Sequence, residues 1–545
     1  MRIKPALVIT PLLAIGLAVS ACTSPTTSNP TTATSGVPQS MTFALQNQPD
    51  GIDPTVTNNS FAMPIIDQAF EGLVTYSRTD GSLIPGQAAS WDISSDGLTY
   101  TFHLRPGLKW SDGSPLTASD WVYTAQRILT PSTAAQYVNL YTDYVVGAQA
   151  LYDDPTATAG LGIKATDDST LVITLLAPTP FFIDILGMWA WDPVQKATID
   201  ANGAQWTNNA SSYVSNGPFM MTDIKLNDSW VMAKNPNYWD AANVTLDNLT
   251  LKLIPDESTA LTAFKNNEVQ GSYTVPASDI ASLKTGNQGL VVTQAYATTF
   301  FDINNKKAPY DNPLVRKALN LAIDRNSLIN DVLQNGGTPA YSLLPPGYVV
   351  DGTDLTDGRS TFDLGPTADP DAAKQALADA GFPGGAGFPT LQLSYYTNDT
   401  AKLMTEAVAA ELEQNLGIKV QISNEDWAVY YADIQAGNYD VAAMGWSADY
   451  FHPMTFMQLL VTGDVNNNVG YSNPQYDALV SQAQTETDPA KALTIMQQAD
   501  TLASAEYPTL NVFYRANMML VSPNIQGVYR DVLGNIYFSA ASVTG

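Results

Sequence analysis

The side chains able to do covalent or metal chemistry are few. Among 545 residues there are two histidines, His103 and His452, and one cysteine, Cys22. A Ser-His-Asp triad would have to use one of those histidines, and no Gly-x-Ser-x-Gly elbow accompanies either. His103 falls in an alternating strand pattern and reads as a satisfied structural residue. His452 follows Asp449 by three positions, close to any site there, but a surface or packing role suits it better. No Gly-x4-Gly-Lys-Ser/Thr loop offers a phosphate cradle. Sulfur and nitrogen ligands are too few for zinc. The stretch Asp351-Gly352-Thr353-Asp354-Leu355-Thr356-Asp357-Gly358 is acidic enough for calcium. Its spacing is not that of the EF-hand loop, and it reads as a solvated linker. The expectation is a protein with no cofactor and no catalytic residue, whose work is recognition; a secreted hydrolase is the disfavoured alternative.

Recognition chemistry concentrates at Trp446-Ser447-Ala448-Asp449-Tyr450. A carboxylate on a cleft wall pairs with a cation such as a primary amine. A hydrogen bond to a charged group contributes roughly 1.5–3 kcal/mol net. The competing roles for an aspartate just after a strand are a helix cap and a solvated turn.

The elements that position this segment can be read from residues 391 to 450. Leu391, Leu393 and Tyr395 alternate as a strand. Met404, Val408, Leu412 and Leu416 follow at four-residue spacing, one helical stripe ended by Gly417. Ile418, Val420 and Ile422 alternate again. Trp427 to Ala436 fits a second helix, stopped by Gly437, and Tyr439 to Gly445 is a third, nearly all-apolar strand. The order β-α-β-α-β predicts a parallel sheet covered by helices. Ligands of open α/β sheets bind beyond the carboxyl ends of strands, which is where Asp449 falls.

Elsewhere, Trp91 to Ile93, the turn Ser94-Ser95-Asp96-Gly97 and the alternation Leu98, Tyr100, Phe102, Leu104 predict a hairpin. Ser119 or Asp120 suits the cap of a helix running to Leu129. Asn312 and Pro313 open a helical pattern closed by Gly336-Gly337, and Asp369-Pro370 opens another that stops at Gly381. No repeat of fixed period is present.

The first residues read as a secretory signal: Arg2 and Lys4, the apolar run Ala6 to Val19, then small residues before Cys22. Residues 24–40 are almost all Ser, Thr, Pro, Asn, Ala and Gly and read as a flexible tether. About 500 residues remain, enough for two or three domains. Charged residues make up 14%, against about 25% typically. The formal net charge of −27 repels nucleic acid and anionic membranes. Beyond Cys22 no long apolar run suggests a membrane span. With one cysteine the mature chain forms no internal disulfide.

Several stretches resemble one family. Leu17-Ala18-Val19-Ser20-Ala21-Cys22 is similar to a bacterial lipobox, which implies an acylated Cys22 as the mature N-terminus; Val-x-Ala also suits ordinary cleavage. Pro85-Gly86-Gln87-Ala88-Ala89-Ser90-Trp91, Gly97-Leu98-Thr99-Tyr100-Thr101-Phe102-His103-Leu104-Arg105 and Lys109-Trp110-Ser111-Asp112-Gly113 resemble the signature of peptide-type (family 5) solute-binding proteins of ABC importers. So do Asn216-Gly217-Pro218-Phe219, the helix Arg316-Lys317-Ala318-Leu319-Asn320-Leu321-Ala322-Ile323-Asp324-Arg325, and Gly445-Trp446-Ser447-Ala448-Asp449-Tyr450. The likeness runs from about residue 41 to the C-terminus.

The resemblance implies an α/β, two-lobed periplasmic-binding-protein-like fold of class II with an additional domain on the first lobe. The first lobe would comprise 41–70, 196–296 and 517–545, the additional domain 71–195, and the second lobe 297–516. It implies a monomeric, extracytoplasmic subunit held to the membrane by its lipid alone, which passes oligopeptides to a permease and ATPase. A nickel chelate, sugar oligomer or opine is the alternative cargo. Asp449 would hold the peptide amine. Trp446, Trp427, Tyr137 and Tyr514 would line side-chain pockets, with core packing as the competing role. Backbone groups of Gly445 and Ser447 would pair with the peptide main chain. The basic residues that meet the peptide's carboxyl end in the family align with Ala401, Ile434 and Ala443. Arg515 is a possible substitute, but reads as an exposed structural arginine.

Overall fold

The computed structural model describes residues 36–77, 82–286 and 288–545. The signal segment, Cys22 and most of the tether lie outside them. Pro38–Thr544 is one compact unit.

An antiparallel sheet of four strands contains the expected hairpin. Its order is β2 (Ala88–Ile93), β3 (Thr99–Leu104), β5 (Thr170–Thr174), β4 (Ile163–Asp167); β1 (Ser40–Leu45) belongs to the larger sheet. Tyr100, Phe102 and Leu104 are buried and the residues between them are not, as period two requires. Helix α1 (Ala118–Ile128) packs on this sheet. Its N-cap is Thr117, not Ser119 or Asp120. Asp120 is instead the third helical residue, and its carboxylate accepts the Thr117 N–H at 2.8 Å. That is the reciprocal half of a capping box, one turn further along than the cap itself.

Among the described residues the larger sheet has eleven strands, ten on one path and a two-residue strand, Thr338–Pro339, beside it. On one side lie β6 (Phe219–Lys225), β7 (Ser229–Lys234), β8 (Asn248–Leu253), β1 and β9 (Gly271–Ser272). On the other lie β11 (Leu391–Tyr396), β12 (Val420–Glu425) and β13 (Val441–Ser447). Two long strands join the sides, β10 (Leu290–Ile303) and β14 (Thr509–Val521). One apolar core gathers around Leu393, Val408 and Val441; a larger one runs from Phe43 and Leu251 through Phe102 to Tyr450 and Met496.

The β-α-β-α-β reading holds. β11 pairs in parallel with both β12 and β13. Helix α4 (Asp399–Leu416) follows β11 and buries Met404, Val408, Leu412 and Leu416. It stops at Gly417, whose φ of 71° is in the left-handed region that favours glycine. Helix α5 (Trp427–Gln435) connects β12 to β13. Ahead of these, α3 (Pro370–Asp379) is capped by Asp369 as expected.

The segment opened by Asn312 is not one helix. Helix α2 (Pro313–Leu321) ends before Asp324, whose side chain accepts the Ser327 N–H and starts a new turn. The break is fixed by Arg325, which is 1% exposed. Its guanidinium donates to the carbonyls of Ala340, Asn511 and Asn320. A buried cation that satisfies three carbonyls from different segments outweighs the continuation of a helical ladder.

β10 and β14 fall out of step at two places, a small one between Thr299 and Phe300 and a larger one before Thr298. Gln294 pairs with Ala516 and Thr298 with Tyr514, so β10 advances four residues while β14 advances two. Ala295, Tyr296 and Ala297 form a bulge opposite Arg515. The bulged backbone is not idle: the Tyr296 N–H donates to Val532 and its carbonyl accepts from Ala448.

Candidate functional site

The bulge fixes the strand end that carries Asp449. The ring of Tyr296 meets Phe451 and Phe456 edge-on at 5.0 and 5.3 Å. His452 stacks on Phe181 at 4.7 Å and meets Tyr348 at 5.0 Å. Its Nδ1 accepts the Met454 N–H, which requires a neutral ring, and burial pulls its pKa down to about 3. His452 therefore packs, as the sequence suggested. His103 lies at the surface, 2.8 Å from Asp92.

Asp449 follows the last residue of β13 by two positions. Burial raises its pKa to about 6, against the opposing hydrogen bonds from Thr455 and Tyr137. The Thr455 hydroxyl donates to Oδ2 at 3.3 Å, and the Tyr137 hydroxyl approaches Oδ1 at 3.5 Å. Among the described residues no lysine or arginine forms an ion pair with it. The Trp446 indole N–H donates to the same Thr455 oxygen at 3.0 Å. Trp446 thus reaches Asp449 through Thr455, a residue the sequence did not single out. Its signal was there: a lone polar residue in the apolar turn Met454-Thr455-Phe456-Met457, fully buried.

Gly445 and Ser447 lie on the part of β13 that leaves one edge open. β11 pairs with β13 only at Val441 and Ala442, so among the described residues the strand beyond has β10 on one side and no strand on the other. An extended ligand can add there as a strand.

Beside this edge is a cavity of about 250 Å³, lined by Tyr396, Ala401, Ala443, Phe513 and Arg515 among others. Arg515 is not an exposed residue; its guanidinium is partly buried against β13. Nε donates to Thr299 Oγ1 at 2.8 Å, and Nη1 reaches Ser447 Oγ at 3.3 Å. Gly445 is the residue that makes room, since a Cβ there would overlap Nη2. Alternation along β14 turns Tyr514 the other way. Its hydroxyl accepts from Arg359 at 3.1 Å, so the structure does not bring it to the cavity.

Trp427 is half exposed and leans edge-on at 5.3 Å against Tyr396, which lines the same cavity. Tyr137 meets Trp189 edge-on at 5.6 Å. Ala401 and Ala443 line the cavity. Ile434 is buried with Tyr430 and Tyr439. Among the described residues no group of His, Cys, Asp or Glu is placed to hold a metal ion, and no helix is long and apolar enough to cross a membrane.

A family model described as bacterial extracellular solute-binding proteins, family 5 Middle, matches residues 82–468. The chain belongs to this family. The Salmonella typhimurium periplasmic oligopeptide-binding protein OppA is 34% identical over 475 residues, 86% of either chain. An Escherichia coli relative, the probable deoxycholate-binding periplasmic protein YgiS, is 32% identical over 88% of this chain and 89% of its own. A crystal structure of Haemophilus influenzae OppA in complex with RPPGFSPFR superposes with a TM-score of 0.74 at 30% identity, covering 93% of this chain and 99% of that one. The fold is accordingly the two-lobed, class II periplasmic-binding-protein fold expected from the sequence. The family members named are binding proteins, and the family is an extracellular one.

Proposed function

We propose that this family 5 protein captures peptides bearing a free α-amino group and delivers them to the permease and ATPase of an ABC importer. The observation that carries the reading is Asp449: a desolvated carboxylate, hydrogen-bonded on both oxygens yet without a cation, beside an open strand edge. An α-ammonium supplies the missing charge, and the peptide's main chain fills the edge along Gly445 and Ser447. Trp446 holds Asp449 through Thr455, and Tyr137 and Trp427 border the ligand. The chain does no catalysis in this reading. Calorimetry with free-amine and N-acetylated peptides tests it. Asp449→Ala is expected to abolish the preference for the free amine; a preference that survives sinks the anchor.

The lobes in this reading divide at the bulge, with 41–70, 196–296 and 517–545 on one side and 297–516 on the other. Residues 71–195, which carry the four-stranded sheet, form the additional domain. Cys22 is the acylated N-terminus of a monomer outside the cell. Its support is the small-residue run before it, and loss of radiolabelled palmitate in Cys22→Ser is the check. A second reading keeps the transport role and changes the cargo, and the name of the YgiS relative favours it. Mass spectrometry of whatever co-purifies with the native protein separates the two.

A further inference from the structure

Arg515 is a charge without a counter-charge. A guanidinium has five N–H donors and stays protonated. One donates to Thr299 and one, at 3.3 Å, to Ser447. Among the described residues no aspartate or glutamate forms an ion pair with it, and no backbone carbonyl accepts from it. The other buried arginines are treated differently. Arg325 donates to carbonyls of three separate residues, Arg316 to those of Glu506, Tyr507 and Tyr310, and Arg359 pairs with Asp500 at 2.8 Å. Those three are consumed by the fold. Arg515 keeps most of its fork free and lines a cavity.

Two local features keep it so. The bulge at Ala295–Ala297 lies opposite Arg515 in the sheet, and bulges of this kind re-aim a side chain next to a site. Gly445, whose missing Cβ leaves the space that Nη2 occupies, lets the guanidinium lie flat over β13.

The geometry points to Arg515 as the receptor for a carboxylate on the ligand, held a short and defined distance from the amine site. This rests on the reading of Asp449 as the amine anchor. Arg515 touches β13 at Gly445 and Ser447, four and two residues before Asp449 in the chain, Asp449 itself lying just past the strand's end. At about 3.3 Å per residue the two charges are roughly 7–13 Å apart along an extended ligand. A carboxylate meets that spacing in two ways: as the C-terminus of a peptide of two to four residues, or as an Asp or Glu side chain near the third position of a longer one. The ligand class is a peptide with a free amine and an anionic group within its first four residues.

The test is calorimetry at pH 7 with trialanine, trialanine amide, acetyl-trialanine, and two pentapeptide amides carrying glutamate or glutamine at the third position. Wild type is expected to favour at least one carboxylate probe over its neutral partner by about tenfold or more. Trialanine against its amide reports the terminal source, and glutamate against glutamine the side-chain source. In Arg515→Gln the ratio falls to within twofold of unity, and Arg515→Lys restores part of it. The acetylated probe reads the amine anchor separately in every variant, and a retained amine preference shows that Arg515→Gln is folded. If neither carboxylate is preferred by wild type, or the preference survives Arg515→Gln, the assignment of Arg515 is overturned while an intact amine preference leaves Asp449 standing. Loss of the amine preference in wild type with the carboxylate preference kept overturns Asp449 and the defined spacing, and leaves Arg515 as a carboxylate receptor. A wild type that binds none of the probes overturns both.

Discussion

The two ends of the open β13 edge solve the same electrostatic problem in opposite ways. At one end the carboxylate of Asp449 is surrounded by donors: Thr455 on one oxygen, Tyr137 on the other, and Trp446 behind Thr455. At the other end the Arg515 guanidinium is left nearly bare, with two hydroxyls as its acceptors. The difference follows from the ions. A lone carboxylate can neutralise itself by taking a proton, and burial raises the Asp449 pKa in that direction. An arginine cannot, so it stays charged until an anion arrives. The acid end is held in place and adjustable; the basic end is fixed in charge and open.

The comparison breaks most directly at Asp449. Asp449→Ala is expected to weaken free-amine peptides by about 10- to 100-fold in calorimetry, the equivalent of one charge-assisted hydrogen bond. N-acetylated peptides should be insensitive to the change.

Acidity gives the next largest effect. Amine binding needs the ionised carboxylate, so affinity should rise with pH and level off above pH 7, about tenfold between pH 5 and 7 for a pKa of about 6. The sign for the empty protein is the reverse. Because the folded pKa is above the ordinary one, the folded state holds a proton between about pH 4 and 6 that the unfolded chain has released. This group's contribution to stability therefore falls as pH rises through that window. Arginine does not titrate there, so any carboxylate preference should stay flat over the same range.

Thr455→Val removes the hydroxyl shared by Asp449 and Trp446. A fivefold loss of affinity, about 1 kcal/mol, is expected, together with a shift of the pH midpoint upward, because that hydrogen bond holds the Asp449 pKa down. Trp427→Ala should matter least. The ring is half exposed and touches the site through Tyr396, so a change of less than about threefold is expected.

What could be read in the sequence divides along the same line. The β-α-β-α-β segment was legible because each element announces itself locally, in alternation, four-residue spacing and a stopping glycine. Asp449 stood out because it follows the last of those strands, but the family resemblance, not the position, set it above a helix cap or a solvated turn, and its anchoring role is a proposal. The break at Asp324 was not, since it depends on carbonyls of Ala340 and Asn511 reaching Arg325 from distant segments. Arg515 was misread for a similar reason. Its burial is set by the register between β10 and β14 and by the absent side chain of Gly445, neither of which has a local signature. The one hint was a single cation in the otherwise uncharged strand Thr509–Val521. Thr455 and Tyr514 make the same point in opposite directions, the first a site residue overlooked, the second a tyrosine turned away by alternation.

The chain order of the joining strands has a consequence for synthesis. β10 leaves one side of the sheet, and β14 returns to it some two hundred residues later; Thr298 and Tyr514, where the inner segment begins and ends, are paired neighbours. The inner segment is therefore an insertion whose ends meet, able to complete the core around Leu393, Val408 and Val441 as soon as it has emerged from the ribosome. The outer side must wait. β9 pairs with the far end of β14 at Val521, Phe43 packs on Phe538 at 5.0 Å, and Gln68 exchanges hydrogen bonds with the backbone of Ile536 and Phe538. The half that is translated first is the half that is finished last, and until then its apolar faces need protection from other chains.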